Sequence, residues 1–165
     1  MSFGSGGSGF SSGTELTGKH TIAIDQDIRY AHSSDNTVVV ELSGVKIPAN
    51  AIITSVAVVV EAASNLSTHD LNIQLSATSG TAADAAISSG TEILGAGVSN
   101  TDSTDSASAS DIAADDLKNV WICRDTIRNG TSDQYVYVCN AGTSNGTTNS
   151  TAGTLSIIIE YYGMD

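Results

Sequence analysis

Ile52-Ile53-Thr54-Ser55-Val56-Ala57-Val58-Val59-Val60-Glu61-Ala62 is the stretch that decides the fold. β-Branched side chains crowd it, and such residues favour a pleated backbone over a helix. Read as a strand, it places Ile52, Val56, Val58 and Val60 on one face and Ile53, Ala57 and Val59 on the other. Both faces are apolar, so the strand lies centrally in a two-layer fold or beneath a partner subunit.

The same signal recurs on either side. Ile22 and Ile24 alternate with Thr21, Ala23 and Asp25, Ile28 and Tyr30 continue the pattern, and Thr37 to Leu42 is Val-rich and ends at Ser43-Gly44. Leu71-Asn72-Ile73-Gln74-Leu75 alternates strictly, as a half-buried strand does. Val120 to Arg124, Tyr135 to Cys139 and Thr154 to Tyr162 complete the set, the last with Leu155, Ile157, Ile159 and Tyr161 on one face. Strands of this length separated by turn signals indicate an all-β antiparallel β-sandwich, jelly-roll-like, in a single domain over residues 19–165. Residues 76 to about 117 read as a loop and short-helix insertion. Thr81-Ala82-Ala83-Asp84 has the form of a helix start, Ser99 to Ser110 is low-complexity, and Ser110 to Leu117 suits a second short helix.

Residues 1–18 form a Gly/Ser arm of flexible composition, interrupted by Phe3 and Phe10. It reads either as a tail or as an arm that anchors on a neighbouring subunit through those two rings. Six Lys and Arg stand against eighteen Asp and Glu, a formal net charge of −12. That balance provides no basic face for nucleic acid and none for an anionic membrane. The amino terminus lacks the charged start and apolar stretch of a signal peptide, so the expectation is a protein made in a cytoplasm and not exported by the common route.

Chemistry-bearing patterns are sparse. Gly4-Ser5-Gly6-Gly7-Ser8-Gly9 spells a dinucleotide fingerprint, but no strand delivers the chain to it and no helix leaves it. His20, His32 and His69 have no supporting catalytic pattern, and no zinc spacing is present. Asp102, Asp105, Asp111, Asp115 and Asp116 are dense, yet they neither alternate nor turn on a glycine as a calcium loop does. The expectation is a protein with no catalytic residue, no metal and no cofactor. Cys123 and Cys139 lie in successive strand-like runs. A hairpin centred near Thr131 would set their sulfurs opposite each other, as a disulfide needs. A tight Asn129-Gly130 turn would set Cys123 against Val136 instead and leave two buried thiols.

Gly44-Val45-Lys46-Ile47-Pro48-Ala49-Asn50-Ala51-Ile52-Ile53-Thr54-Ser55-Val56 resembles small all-β virion proteins of tailed bacteriophages, in particular capsid decoration (cement) proteins. In those, an apolar-Pro-Ala turn leads into a central strand, here through Ile47, Pro48, Ala49, Ala51 and Ile52. Gly153 to Tyr162 is similar to their final core strand. The resemblance implies a virion component that binds the outer surface of a phage head. Its partners would be the major capsid protein and copies of itself in a homotrimer, and its role stabilising contacts between capsomers. The alternative is a phage fibre, receptor-binding or carbohydrate-binding sandwich module.

Overall fold

The computed structural model describes residues 16–30, 37–63, 70–83, 85–87, 90–96, 98, 101–103, 111–113, 117–141 and 148–164. Eleven strands follow in chain order: β1 (Leu16–Tyr30), β2 (Val38–Ile47), β3 (Ile52–Ala62), β4 (Asp70–Ser76), β5 (Thr91–Leu94), β6 (Thr101–Ser103), β7 (Ile112–Ala113), β8 (Val120–Cys123), β9 (Ile127–Arg128), β10 (Gln134–Asn140) and β11 (Thr148–Met164). All pairings are antiparallel. One sheet runs β1-β11-β3-β8-β6, with β9 on the end of β3, and the other runs β2-β10-β4-β5, with β7 on the end of β4.

That strand order is a jelly roll. Lettered B to I along the chain, β1, β2, β3, β4, β5, β8, β10 and β11 read B-I-D-G in one sheet and C-H-E-F in the other. Consecutive strands alternate between sheets, so a sequence-local hairpin is the exception here. The core lies between the layers. Val56, Val58, Val60, Trp121, Cys123, Leu155, Ile157 and Ile159 come from the first sheet, and Val39, Leu42, Leu71, Ile73, Leu75, Val136 and Val138 from the second. Small branched side chains interdigitate well in so thin a layer.

Several expectations change. The described part of residues 76–117 contains no helix and is no decoration on a finished core, because β5, β6 and β7 extend both sheets. Thr81 to Ala83 makes only a turn, in which the Ala85 amide donates to the Ala82 carbonyl at 3.1 Å. The chain then bridges Thr37 at Ala86 and buries Ile87. The second expected helix is replaced by Ile112–Ala113, paired to β4. At the other end, β1 begins at Leu16, inside the expected arm. Within β3 the faces of Ile52 and Ile53 are exchanged. A bulge between the Glu160–Ser55 and Tyr161–Ile53 pairs turns Ile53 into the core and leaves Ile52 half-exposed. Cys123 and Cys139 are not hairpin neighbours, since β8 pairs β3 and β6 whereas β10 pairs β2 and β4. Both are buried, reduced thiols, and no disulfide joins them.

Candidate interaction surface

The outer faces of the two sheets differ. On the β2-β10-β4-β5 sheet, Val38, Tyr137 and Cys139 point away from the main core and are still fully buried, packed with Ile87 and half-buried Tyr135. Asn72 and Gln74 lie on the same side and are also buried, so β4 is covered on both faces rather than half-buried. The cover is the chain itself, in the segment after β4. The Tyr137 hydroxyl lies 2.7 Å from both Glu41 Oε2 and the Thr78 carbonyl, and the Gly80 amide donates to Glu41 Oε2 at 2.6 Å. Burial holds the Tyr137 phenol above its ordinary pKa. Farther along, Asn72 donates to Glu92 at 3.2 Å and the Ala96 amide to Asp111 Oδ1 at 2.7 Å. Asp111 thus closes a loop. Asp102 lies in β6, while Asp105, Asp115 and Asp116 lie outside the described residues.

The outer face of the other sheet has no such layer among the described residues. Strand register carries Ala23, Ile158, Ala57 and Ile122 across four strands in one row, and Asp25, Ser156, Val59 and Val120 in the next. Ala57, Val59, Val120 and Ile122 are half-buried by one another, and Ile158 is 38% exposed at the centre. A row of four spans roughly 14 Å at ordinary strand spacing. Polar groups surround the rows. Ser156 donates to Asp25 at 2.5 Å, Thr154 donates to Asp27 at 3.0 Å, and Lys19 pairs with Glu160 at 2.7 Å. An apolar centre with a hydrogen-bonded polar rim is the anatomy of a protein contact surface.

The Pro48 segment has a different role. It carries the chain from the end of β2 in one sheet to the start of β3 in the other, with Ile47 and Ala51 fully buried, Pro48 exposed, and Ala49 and Ile52 half-exposed. Asn50 takes φ = 59°, a left-handed value that asparagine tolerates better than most residues. Asn129 locks the turn. Its side-chain amide donates to the carbonyls of Ile47 at 3.0 Å and Pro48 at 2.7 Å, and its Oδ1 accepts the Gly130 amide at 2.9 Å. The backbone adds Asn50 N to Gly130 O and Asn129 N to Ala51 O, each at 2.8 Å. Asp133 accepts the Ala49 amide and pairs with Lys46, both at 3.2 Å, and these contacts hold its carboxyl below the ordinary range. The segment is therefore an internal joint of the fold.

Phe3 and Phe10 lie outside the described residues, as do His32 and His69. His20 stacks on Tyr161, with ring centroids 5.1 Å apart. Burial and the negative charge of Glu92 push the Cys139 thiol up to about 12. The described residues hold no group of three or more His, Cys, Asp or Glu side chains placed to hold a metal ion, and no helix long and apolar enough to cross a membrane. Sequence reasoning missed the Asn129 lock and the Glu41–Tyr137 contact. Both join residues more than eighty positions apart, and neither has a local signature.

No protein-family model and no curated protein matches the chain. Among solved structures, one similar to it is described as the acidic stable capsid structure of Helicobacter pylori bacteriophage KHP30. The match has 13% identity and a TM-score of 0.25, covering 88% of this chain and 93% of that one. Overlap this loose says nothing about function.

Proposed function

We propose that this chain is a structural protein of a phage particle, a capsid decoration protein that lays the outer face of its β1-β11-β3-β8-β6 sheet against the head surface. The observation that carries the reading is the contrast between the two outer faces. One is covered by the chain's own Thr78, Gly80 and Ile87, and the other presents Ile158, Ala57, Ile122 and Val59 with a polar rim. The resemblance of the Pro48 segment and of the last strand to decoration proteins supplies the kind of partner. Acidity suits a protein that repels its copies in solution and binds only where apolar surface meets apolar surface. Many such contacts, repeated around a shell, add through multivalency. The reading assigns no catalysis. A sugar-binding module is less well supported, because Trp121 and Tyr137 are consumed by packing and cannot serve as exposed platforms.

The test is quantitative mass spectrometry of purified particles, followed by rebinding of Ile158→Asp to particles stripped of this chain. Hundreds of copies per particle are expected. A carboxylate at the centre of the contact is expected to weaken rebinding about a hundredfold or more, through lost apolar burial and a desolvated charge. Copies in single figures, or full rebinding by the variant, would refute the reading.

A further inference from the structure

β1 is an edge strand. Among the described residues it pairs only with β11, and no other described strand takes up the backbone groups along its other side. Two features on this edge are incomplete. Ile22 and Ile24 pack against the core but stay partly exposed. On the outer face Lys19, Thr21, Ala23, Asp25 and Asp27 are all exposed, with the cation at one end and two carboxylates at the other.

We propose that two copies of this chain join antiparallel along β1, about a two-fold axis at Ala23, making one continuous sheet of the two. The register follows from the strand itself. Antiparallel pairing with matched faces requires the axis to pass through a residue, not between residues, because side chains alternate with period two. Ala23 is the middle of Leu16–Tyr30, so pairing about it uses the whole strand in both copies. It places Lys19 of each copy opposite Asp27 of the other and Thr21 opposite Asp25. On the inner side Ile22 falls opposite Ile24 twice, closing the gap at the end of the core. An axis at Ile24 would set Asp27 against Thr21 and leave Lys19 beyond any acid on the strand. The Ala23 register is therefore self-complementary in charge and in apolar surface, as a two-fold contact demands.

This contact does not depend on the capsid reading, and it is tested on the isolated full-length chain. Sedimentation velocity should show a species of twice the 16.8 kDa chain mass, weakening with added salt. Asp27→Lys and Lys19→Asp, each leaving like charges opposite one another twice, are expected to weaken self-association about ten- to thirtyfold. The double variant Lys19→Asp/Asp27→Lys should restore it, which a merely unfolded protein could not do. A monomer at about 100 μM, a trimer, or a dimer indifferent to these charges would overturn the proposal.

Discussion

Replacing Asn129 with alanine tests whether the Pro48 segment is a joint of the fold. The side chain is 6% exposed and makes three hydrogen bonds of 3.0 Å or less, to the carbonyls of Ile47 and Pro48 and the amide of Gly130. Alanine removes all three and supplies no substitute, in a site where Ile47 and Ala51 are fully buried. At about 1 kcal/mol net for each bond, the loss comes to about 3 kcal/mol. For a domain of this size that is a fall in Tm of about 6–12 °C. Reversible urea unfolding measures the free energy and calorimetry the temperature. Ser132→Ala, at an exposed neighbour whose hydroxyl only accepts from Gln134, serves as the control and should stay within about 0.5 kcal/mol. A loss below about 1 kcal/mol for Asn129→Ala would refute the joint.

Other consequences are as direct. Neither cysteine should react with an aromatic disulfide reagent at pH 8 until the protein is unfolded, since both are buried and Cys139 titrates only near 12; rapid native labelling of either would contradict the packing. Asp133 has its carboxyl held below the ordinary 3.8, first by the Ala49 amide and then by Lys46. Its contribution is therefore present above that value and is lost as the pH falls through the folded pKa. Urea midpoints of wild type and Asp133→Asn should accordingly differ near neutrality and converge in acid. Tyr137→Phe removes the hydroxyl between Glu41 and Thr78 and should cost about 1–2 kcal/mol. Amide exchange should quicken at Gly80 and Ala85 while the β3 and β11 amides are unaffected.

The long strands were legible because their chemistry is local. Val56 to Val60 and Leu155 to Tyr161 carry period-two patterns that need no partner to be read, and both lie where that pattern puts them. Pairing was not legible. In a jelly roll most consecutive strands cross to the other sheet, so β8 and β10, neighbours in sequence and separated only by the two-residue β9, end in different layers. The disulfide geometry imagined for a hairpin fails for that reason. The short strands of residues 76–117 were hidden in a composition that favours turns: Thr91-Glu92-Ile93-Leu94 is too brief to show a period, and Ile112–Ala113 briefer still. The helix start at Thr81 carried the right cap residues. It lost to tertiary contacts, because the Ala86 bridge and the burial of Ile87 against Tyr137 stabilise an extended path.

The apolarity of β3 on both faces left two explanations open, a central place in the fold and a covering partner. The first holds for the inner face, and the second is the partner contact proposed above for the outer one. Val56, Val58 and Val60 are core, which needs no partner. Ala57 continues a row that runs through Ile158 to Ala23 on the edge strand, and Val59 lies in the next row, which ends in Ser156 and Asp25. The chain had the means to cover such a face, since Ile87 and the backbone of Thr78 and Gly80 do so on the opposite sheet, against Tyr137 and Glu41. Polar residues could have occupied the outward positions of β3 and β8 at no cost to the core, as Thr21, Asp25 and Asp27 do on β1 at the edge of the same sheet. Val and Ile stand there instead, beside an edge whose charges are laid out to match their own two-fold image. An apolar row and an edge that can extend the sheet meet at Ala23, so joining two copies along β1 would set their Ala23 rows end to end and double the surface offered to a third partner.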